Sequence, residues 1–186
     1  CLTDQASCGC CLMQQQMHRM KKFFNTSLSQ LEEELTKTRN VLNNVRSRSA
    51  FSVALTSENS FKCFGPFRDD KLITYTHVFI NLGNGYDART GIFTAPRSGV
   101  YSLALTVYSD AGSPGNTLAA CAGLQVNSRV VAGPSEKNMQ DQEDSATIVL
   151  AYHLKAGDQV TVNLPIGCFL CDDNSHYNTF SGFLLY

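Results

Sequence analysis

The sequence predicts an all-β jelly-roll or β-sandwich head preceded by an α-helical coiled-coil stalk, divided into a cysteine-rich segment (1–12), the stalk (13–49) and the head (50–186). Three observations predict it. Apolar residues recur at alternating steps of three and four from Leu28 to Val45, the spacing of one seam along a helix. After Arg48 the period shortens to that of strands. Turn residues, and no further helical pattern, separate those strands.

The N-terminal segment carries Cys1, Cys8, Cys10 and Cys11. Neighbours in a Cys-x-Cys-Cys cluster are too close to pair comfortably with one another, so bridges between chains held side by side are the expected outlet. A zinc site is the competing reading; only His18 stands nearby, and no second cysteine pair or His-x-x-x-His accompanies it. The seam itself runs Leu28, Leu31, Leu35, Thr38, Leu42, Val45. On that register Glu34 takes a g position and Arg39 the following e position, where opposite charges meet across a parallel coiled coil. Met13, Met17, Met20 and Phe24 extend the rhythm upstream, but the step from Phe24 to Leu28 adds one residue and the seam slips there. A helix from about 13 to 48 would be about 50 Å long. An amphipathic helix packed on the head is the alternative; the adjoining cysteines favour the coiled coil.

The head's strand signals are Phe51–Leu55, Ile73–Ile80, Gly91–Thr94, Val100–Val107, Leu118–Val126, Ser145–Leu154, Asp158–Leu164 and Phe180–Tyr186. Gly65-Pro66, Gly83-Asn84-Gly85, Ser113-Pro114-Gly115-Asn116, Gly133-Pro134, Lys155-Ala156-Gly157-Asp158 and Cys171-Asp172-Asp173-Asn174 punctuate them. Within 81–101, the glycines permit a tight turn, Tyr86 and Phe93 can anchor a loop on the core, and Pro96 with Gly99 bends the chain into the next strand. These residues have a structural explanation rather than a chemical one.

The chain's 186 residues, 43% of them hydrophobic, suit one core plus an appendage. A formal net charge of -1 supplies no basic field for phosphates, so nucleic acid is excluded as a partner. No apolar run approaches the roughly 18 residues of a membrane-spanning helix. Eight cysteines and the glycosylation acceptor Asn25-Thr26-Ser27 point to a secreted glycoprotein, with Cys1 expected to begin a mature form freed of its signal peptide.

The spacing of Asn81, Tyr86, Phe93, Gly99 and Tyr101, with Phe180 and Gly182 in the closing strand, resembles the complement C1q globular domain, the head shared by complement C1q, adiponectin-like proteins and cerebellins and related to tumour necrosis factor. The resemblance spans roughly 50–186. It implies a C1q/TNF-like ten-stranded jelly roll that assembles as a homotrimer. Here a coiled coil stands where others carry collagen, as no Gly-X-Y repeat exists. That arrangement is similar to cerebellins, whose N-terminal cysteines link trimers into higher multimers. Tyr75, Leu103 and Leu105 depart from the family's usual aromatic pattern while keeping strand-like apolar bulk.

No enzyme motif surrounds His18, His77, His153 or His176, and the expectation is a non-enzyme. Cys168-Phe-Leu-Cys171 has the Cys-x-x-Cys form but adjoins no helix or βαβ pattern, so Cys63, Cys121, Cys168 and Cys171 are read as structural disulfides whose three pairings stay open. Asp172 and Asp173 are candidate calcium ligands, an expectation the resemblance raises, against the alternative of a solvated acidic turn. No cofactor is required. The expected function is multivalent binding of a cell-surface receptor or glycan through Ser113–Thr117, Glu136–Gln142 and Cys171–His176. A synaptic organiser is the first reading and an innate-immune pattern-recognition lectin the alternative.

Overall fold

A computed structural model describes residues 5–46, 48–112, 119–136 and 142–186, with the side chains of 5–8, 10 and 44–46 outside that description. The chain divides into two compact units, Cys1–Arg46 and Ser47–Tyr186. The first is one helix, α1 (Gln5–Arg46), of 42 residues, roughly 63 Å at 1.5 Å per residue. It starts well before residue 13 because no proline or described glycine-rich turn interrupts the Gln- and Met-rich run. Cys8, Cys10 and Cys11 therefore lie within its opening turns. Among them Cys11 is disulfide-bonded within the chain rather than between chains as expected, because a helix through the cluster brings cysteines of one chain within reach of each other; Cys1 and the side chains of Cys8, Cys10 and Val45 fall outside the described residues.

Along α1 the seam residues Leu28, Leu31, Leu35 and Leu42 are exposed, Leu31 at 61%. Thr38, the polar member of the seam, donates its hydroxyl to the Glu34 carbonyl at 2.8 Å, which meets its polar demand within the helix. Asn25 is exposed on the same helix.

The head contains β1 (Ala50–Ala54), β2 (Lys62–Phe64), β3 (Lys71–Leu72), β4 (His77–Leu82), β5 (Tyr86–Asp87), β6 (Ile92–Thr94), β7 (Gly99–Asp110), β8 (Ala120–Cys121), β9 (Gly123–Val126), β10 (Arg129–Ala132), β11 (Ser135–Glu136), β12 (Glu143–Leu154), β13 (Gln159–Leu164), β14 (Leu170–Asp172) and β15 (Thr179–Leu184). They form a five-stranded sheet, β12-β7-β15-β1-β4, and a six-stranded sheet, β10-β9-β13-β6-β5 with β3 on β13; β11–β8 and β14–β2 make two small ribbons. All described pairings are antiparallel. This is the jelly-roll sandwich expected.

Alternation decides the layers. Tyr101, Leu103, Leu105 and Val107 on β7 point inward and are buried, while their neighbours Ser102, Ala104 and Thr106 face the other way. Phe51 is the hub: it stacks on Phe93 at 4.4 Å and Tyr86 at 5.5 Å, and meets Phe180 edge-on at 4.7 Å. The run Ile73–Ile80 is not one strand. Ile73 donates to Val162 of β13, whereas Thr76 donates to Leu55 next to β1, so the segment crosses from one sheet to the other with Ile73 and Tyr75 both sealed in the core.

Candidate functional site

The residues of the 81–101 pattern all hold the fold together. Asn81 closes the turn before β5: its Nδ2 donates to the Tyr86 carbonyl at 2.8 Å, and its Oδ1 accepts the Tyr86 amide at 3.1 Å. The Tyr86 hydroxyl accepts from the Tyr75 amide and donates to the Tyr75 carbonyl. Tyr101 donates to the Arg97 carbonyl at 3.0 Å. Gly99 and Gly182 leave room that a side chain would fill: a Cβ would stand 2.5 Å from the Tyr186 carbonyl oxygen at Gly99, and 2.7 Å from Phe51 and Leu103 at Gly182. Tyr75 is different. Its hydroxyl is fully buried with no hydrogen-bond partner, and burial pushes the phenol far above its ordinary range.

Two surfaces remain for function. The first is the outer face of the five-stranded sheet. Cross-strand register places Ile80 and Leu82 of β4 opposite Ser52 and Ala50, Phe183 of β15 opposite Ala50 and Ser102, and Val149 of β12 opposite Ala104. Ile80, Leu82, Val149 and Phe183 are 42–64% exposed. Between them lie small side chains and the Thr106–Thr147 hydroxyl pair at 3.0 Å. From Ser102 to Thr106 and from Thr147 to Ala151 this face carries no charge. That stretch is uncharged and partly apolar, unlike a solvated sheet face.

The second surface is the sandwich end where β7 and β1 finish and β4, β12 and β15 begin, opposite Ala50 and Tyr186. Two disulfides brace it: Cys63–Cys171 joins β2 to β14, and Cys121–Cys168 fixes β8 to the segment before β14. This resolves the open pairing and splits the Cys-x-x-Cys sequence between two bridges. Asp172 folds the following loop around itself. Its Oδ1 accepts the amides of Asp173 at 3.0 Å and Tyr177 at 2.8 Å, and its Oδ2 that of Asn178 at 3.4 Å. Burial nonetheless raises the carboxyl above its ordinary value, opposed by those amides and by His176. Asp173 accepts the Ser175 amide at 2.7 Å. Both candidate calcium ligands thus spend oxygens on loop closure, and among the described residues no three His, Cys, Asp or Glu side chains stand together as a metal site.

The same end gathers residues that are far apart in sequence. His77 and His176 stack at 4.6 Å with Phe79 against both. His176 Nδ1 lies 2.8 Å from the Thr56 carbonyl oxygen, which can only accept, so Nδ1 carries the proton. Tyr108 and Tyr177, which follows His176, stack at 4.6 Å, and the buried Asn178 accepts the Tyr108 amide and donates to the Cys171 carbonyl. Sequence alone keeps these histidines apart; they meet because β4, which His77 opens, and β15, which follows His176, both pair with β1. His153 stays separate and exposed on β12. The segment Ser113–Thr117 and residues 137–141 of the Glu136–Gln142 loop lie outside the described residues; Asp110 and Glu143, which flank them, pair across β7 and β12.

Between β2 and the crossing segment is a cleft of about 380 Å³ lined by Thr56, Glu58, Ser60, Lys62, Cys63, Phe64, Thr74 and Asp172 among others. Glu58 and Lys62 form an exposed ion pair at its mouth. No described helix is long and apolar enough to cross a membrane.

A family model for the C1q domain matches residues 50–185. Caprin-2 of Danio rerio is 30% identical over 139 residues, which cover 75% of this chain and 14% of that protein. Complement C1q tumor necrosis factor-related protein 3 of Homo sapiens is 29% identical over 114 residues, covering 61% of this chain and 44% of its own length. The match therefore spans less than half of either relative. Among solved structures, the globular domain of zebrafish complement 1qA protein has a TM-score of 0.55 at 20% identity, covering 74% of this chain and 98% of that one. Eiger TNF from S. frugiperda gives 0.58 at 13%, covering 75% and 94%, and murine APRIL gives 0.54 at 16%, covering 74% and 99%. These likenesses concern the fold. Heads of this type are non-enzymatic ligand-binding modules. With the matched residues beginning at Ala50, where β1 enters the sandwich, the chain belongs to the C1q domain family.

Proposed function

We propose that the protein is a secreted, homotrimeric, cerebellin-like binding protein whose stalk is a parallel coiled coil and whose N-terminal cysteines link trimers into larger multimers. The observation that carries this reading is the outer face of the five-stranded sheet, where Ile80, Leu82, Val149 and Phe183 are uncovered and β7 and β12 carry no charge from Ser102 to Thr106 and from Thr147 to Ala151. Full burial of such a side chain is worth about 1.5–3 kcal/mol, and between Ser102 and Thr106 and between Thr147 and Ala151 no charge has to be desolvated. Neighbouring copies arranged around a threefold axis are its natural cover. The exposed leucine seam of α1 asks for the same partners.

A trimer presents three copies of the loop-bearing end, and linking trimers multiplies them again. Weak contacts to a cell-surface protein then gain avidity without any new contact. The first reading is a synaptic or cell-surface organiser. A pattern-recognition role toward glycans is the second, favoured by the stacked Tyr108–Tyr177 pair, since Tyr177 is 42% exposed and offers a ring face for a sugar.

Solution mass by light scattering, with and without reductant, tests the assembly. The expected result is a multiple of the trimer that falls to the trimer on reduction; a monomer in both conditions overturns it. Screening the intact multimer against glycans and against cell-surface proteins separates the two ligand classes.

A further inference from the structure

The two disulfides of the head differ in access. Cys121 and Cys168 are 5% and 2% exposed, and Cys171 is fully buried. Cys63 is exposed on β2 and lines the 380 Å³ cleft. Thiol–disulfide exchange needs a thiolate to reach one sulfur of the bridge, so access separates a reactive bridge from an inert one. We propose that the Cys63–Cys171 bridge is a modification site, at which a low-molecular-weight aminothiol enters the cleft and forms a mixed disulfide with Cys63.

The cleft suits that class of reagent. Its volume admits a molecule of amino-acid size, and Thr56, Ser60 and Thr74 offer hydroxyls to polar groups. Glu58 brings a carboxylate toward an ammonium group, while Lys62, its ion-pair partner, adjoins Cys63 in the lining. In the exchange the incoming thiolate bonds to the Cys63 sulfur and the Cys63–Cys171 bond breaks. The electron pair leaves with the Cys171 sulfur, which takes up the proton that the reagent lost. One disulfide replaces another, and no outside oxidant is consumed. The released Cys171 sulfur lies 3.6 Å from the Asp110 carbonyl oxygen, a ready acceptor for its S–H.

The exchange would reach beyond the cleft. Pairing between β2 and β14 comprises only Lys62–Asp172, Cys63–Cys171 and Phe64–Leu170. The segment leading into β2 carries Thr56, whose carbonyl holds His176. Opening the bridge loosens this end of the head, the end assigned above to ligand binding; that consequence rests on the proposed function, whereas the exchange itself does not.

The test treats the intact folded protein with millimolar cysteine and cystine at neutral pH while near-ultraviolet circular dichroism reports the native fold. Acid quench, alkylation in denaturant and peptide mass spectrometry then locate each modification. The expected result is a cysteinyl group on Cys63 and an alkyl label on Cys171, appearing at least about tenfold faster than any label on Cys121 or Cys168. Opening of both bridges at one rate, a cysteinyl group on Cys171, or a closed Cys63–Cys171 bridge throughout would each overturn the proposal. A Cys171→Ser variant, where it folds, should take one cysteinyl group from cystine at Cys63; a folded variant that stays unmodified overturns it equally.

Discussion

The helix and the head solve the burial problem in opposite ways. The head seals Phe51, Phe93, Tyr101 and Phe180 within its own two sheets, whereas α1 leaves every described leucine of its seam in water. A chain that buries a core can fold alone; an uncovered helix draws its stability from association. The sharpest way to break this contrast is Phe51→Ala, which removes the ring that joins Tyr86, Phe93 and Phe180. Such a truncation costs about 3–5 kcal/mol. In urea titrations the β signal should be lost at much lower denaturant while the helical signal persists. If both were lost together, the two regions would form one cooperative unit.

The next two changes ask which region sets the oligomer. Val149→Asp places a charge in the uncharged stretch of the edge strand β12, opposite Ala104, where burial against another copy would leave it unpaired at a cost of several kcal/mol. Sedimentation of the reduced protein should then show the proposed trimer falling apart at micromolar concentration. Replacing Leu31, Leu35 and Leu42 together with Ser should have a smaller effect under reducing conditions: a weaker trimer, with the head still assembling. A trimer indifferent to Val149→Asp but lost with the triple change would reverse the assignment and make the stalk the organiser.

Much of this was legible in the sequence because periodicity and close packing leave marks there. The seam at Leu28–Leu42 and the alternation of β7 follow from periods of 3.5 and 2, and Gly99 and Gly182 occupy places where a Cβ would collide. What periodicity could not carry was the crossing at Ile73–Thr76, where both alternate residues face a core although the segment belongs to no single sheet. The loop-end clusters were equally hidden, since the stacking of His77 on His176 depends on strand order rather than on local sequence. Tyr75 is a mixed case. Its place in a strand was readable, but not that its hydroxyl would be buried without a partner. Tyr75→Phe removes that unmet polar group, and thermal or urea unfolding should find the head about 1 kcal/mol more stable. A destabilised variant would mean that the hydroxyl has a partner, such as a buried water.

The smallest effect concerns Asp172, where two opposed forces meet in one carboxyl. Burial raises its proton affinity above the ordinary value of 3.8, and the amides of Tyr177, Asp173 and Asn178 and the charge of His176 pull it back without cancelling the rise. A raised value in the folded state means that the native head holds this proton more tightly than the unfolded chain does. The corresponding stability is fully present below the unfolded value and is lost as pH rises through the folded one. Asp172→Asn cannot ionise, so the pH dependence of its difference from the native protein isolates this group. Going from pH 7 down to pH 4, the native protein should gain stability relative to the variant, read as converging or crossing urea midpoints. The opposite slope would mean that the three amides outweigh burial and that the loop is built around a carboxylate.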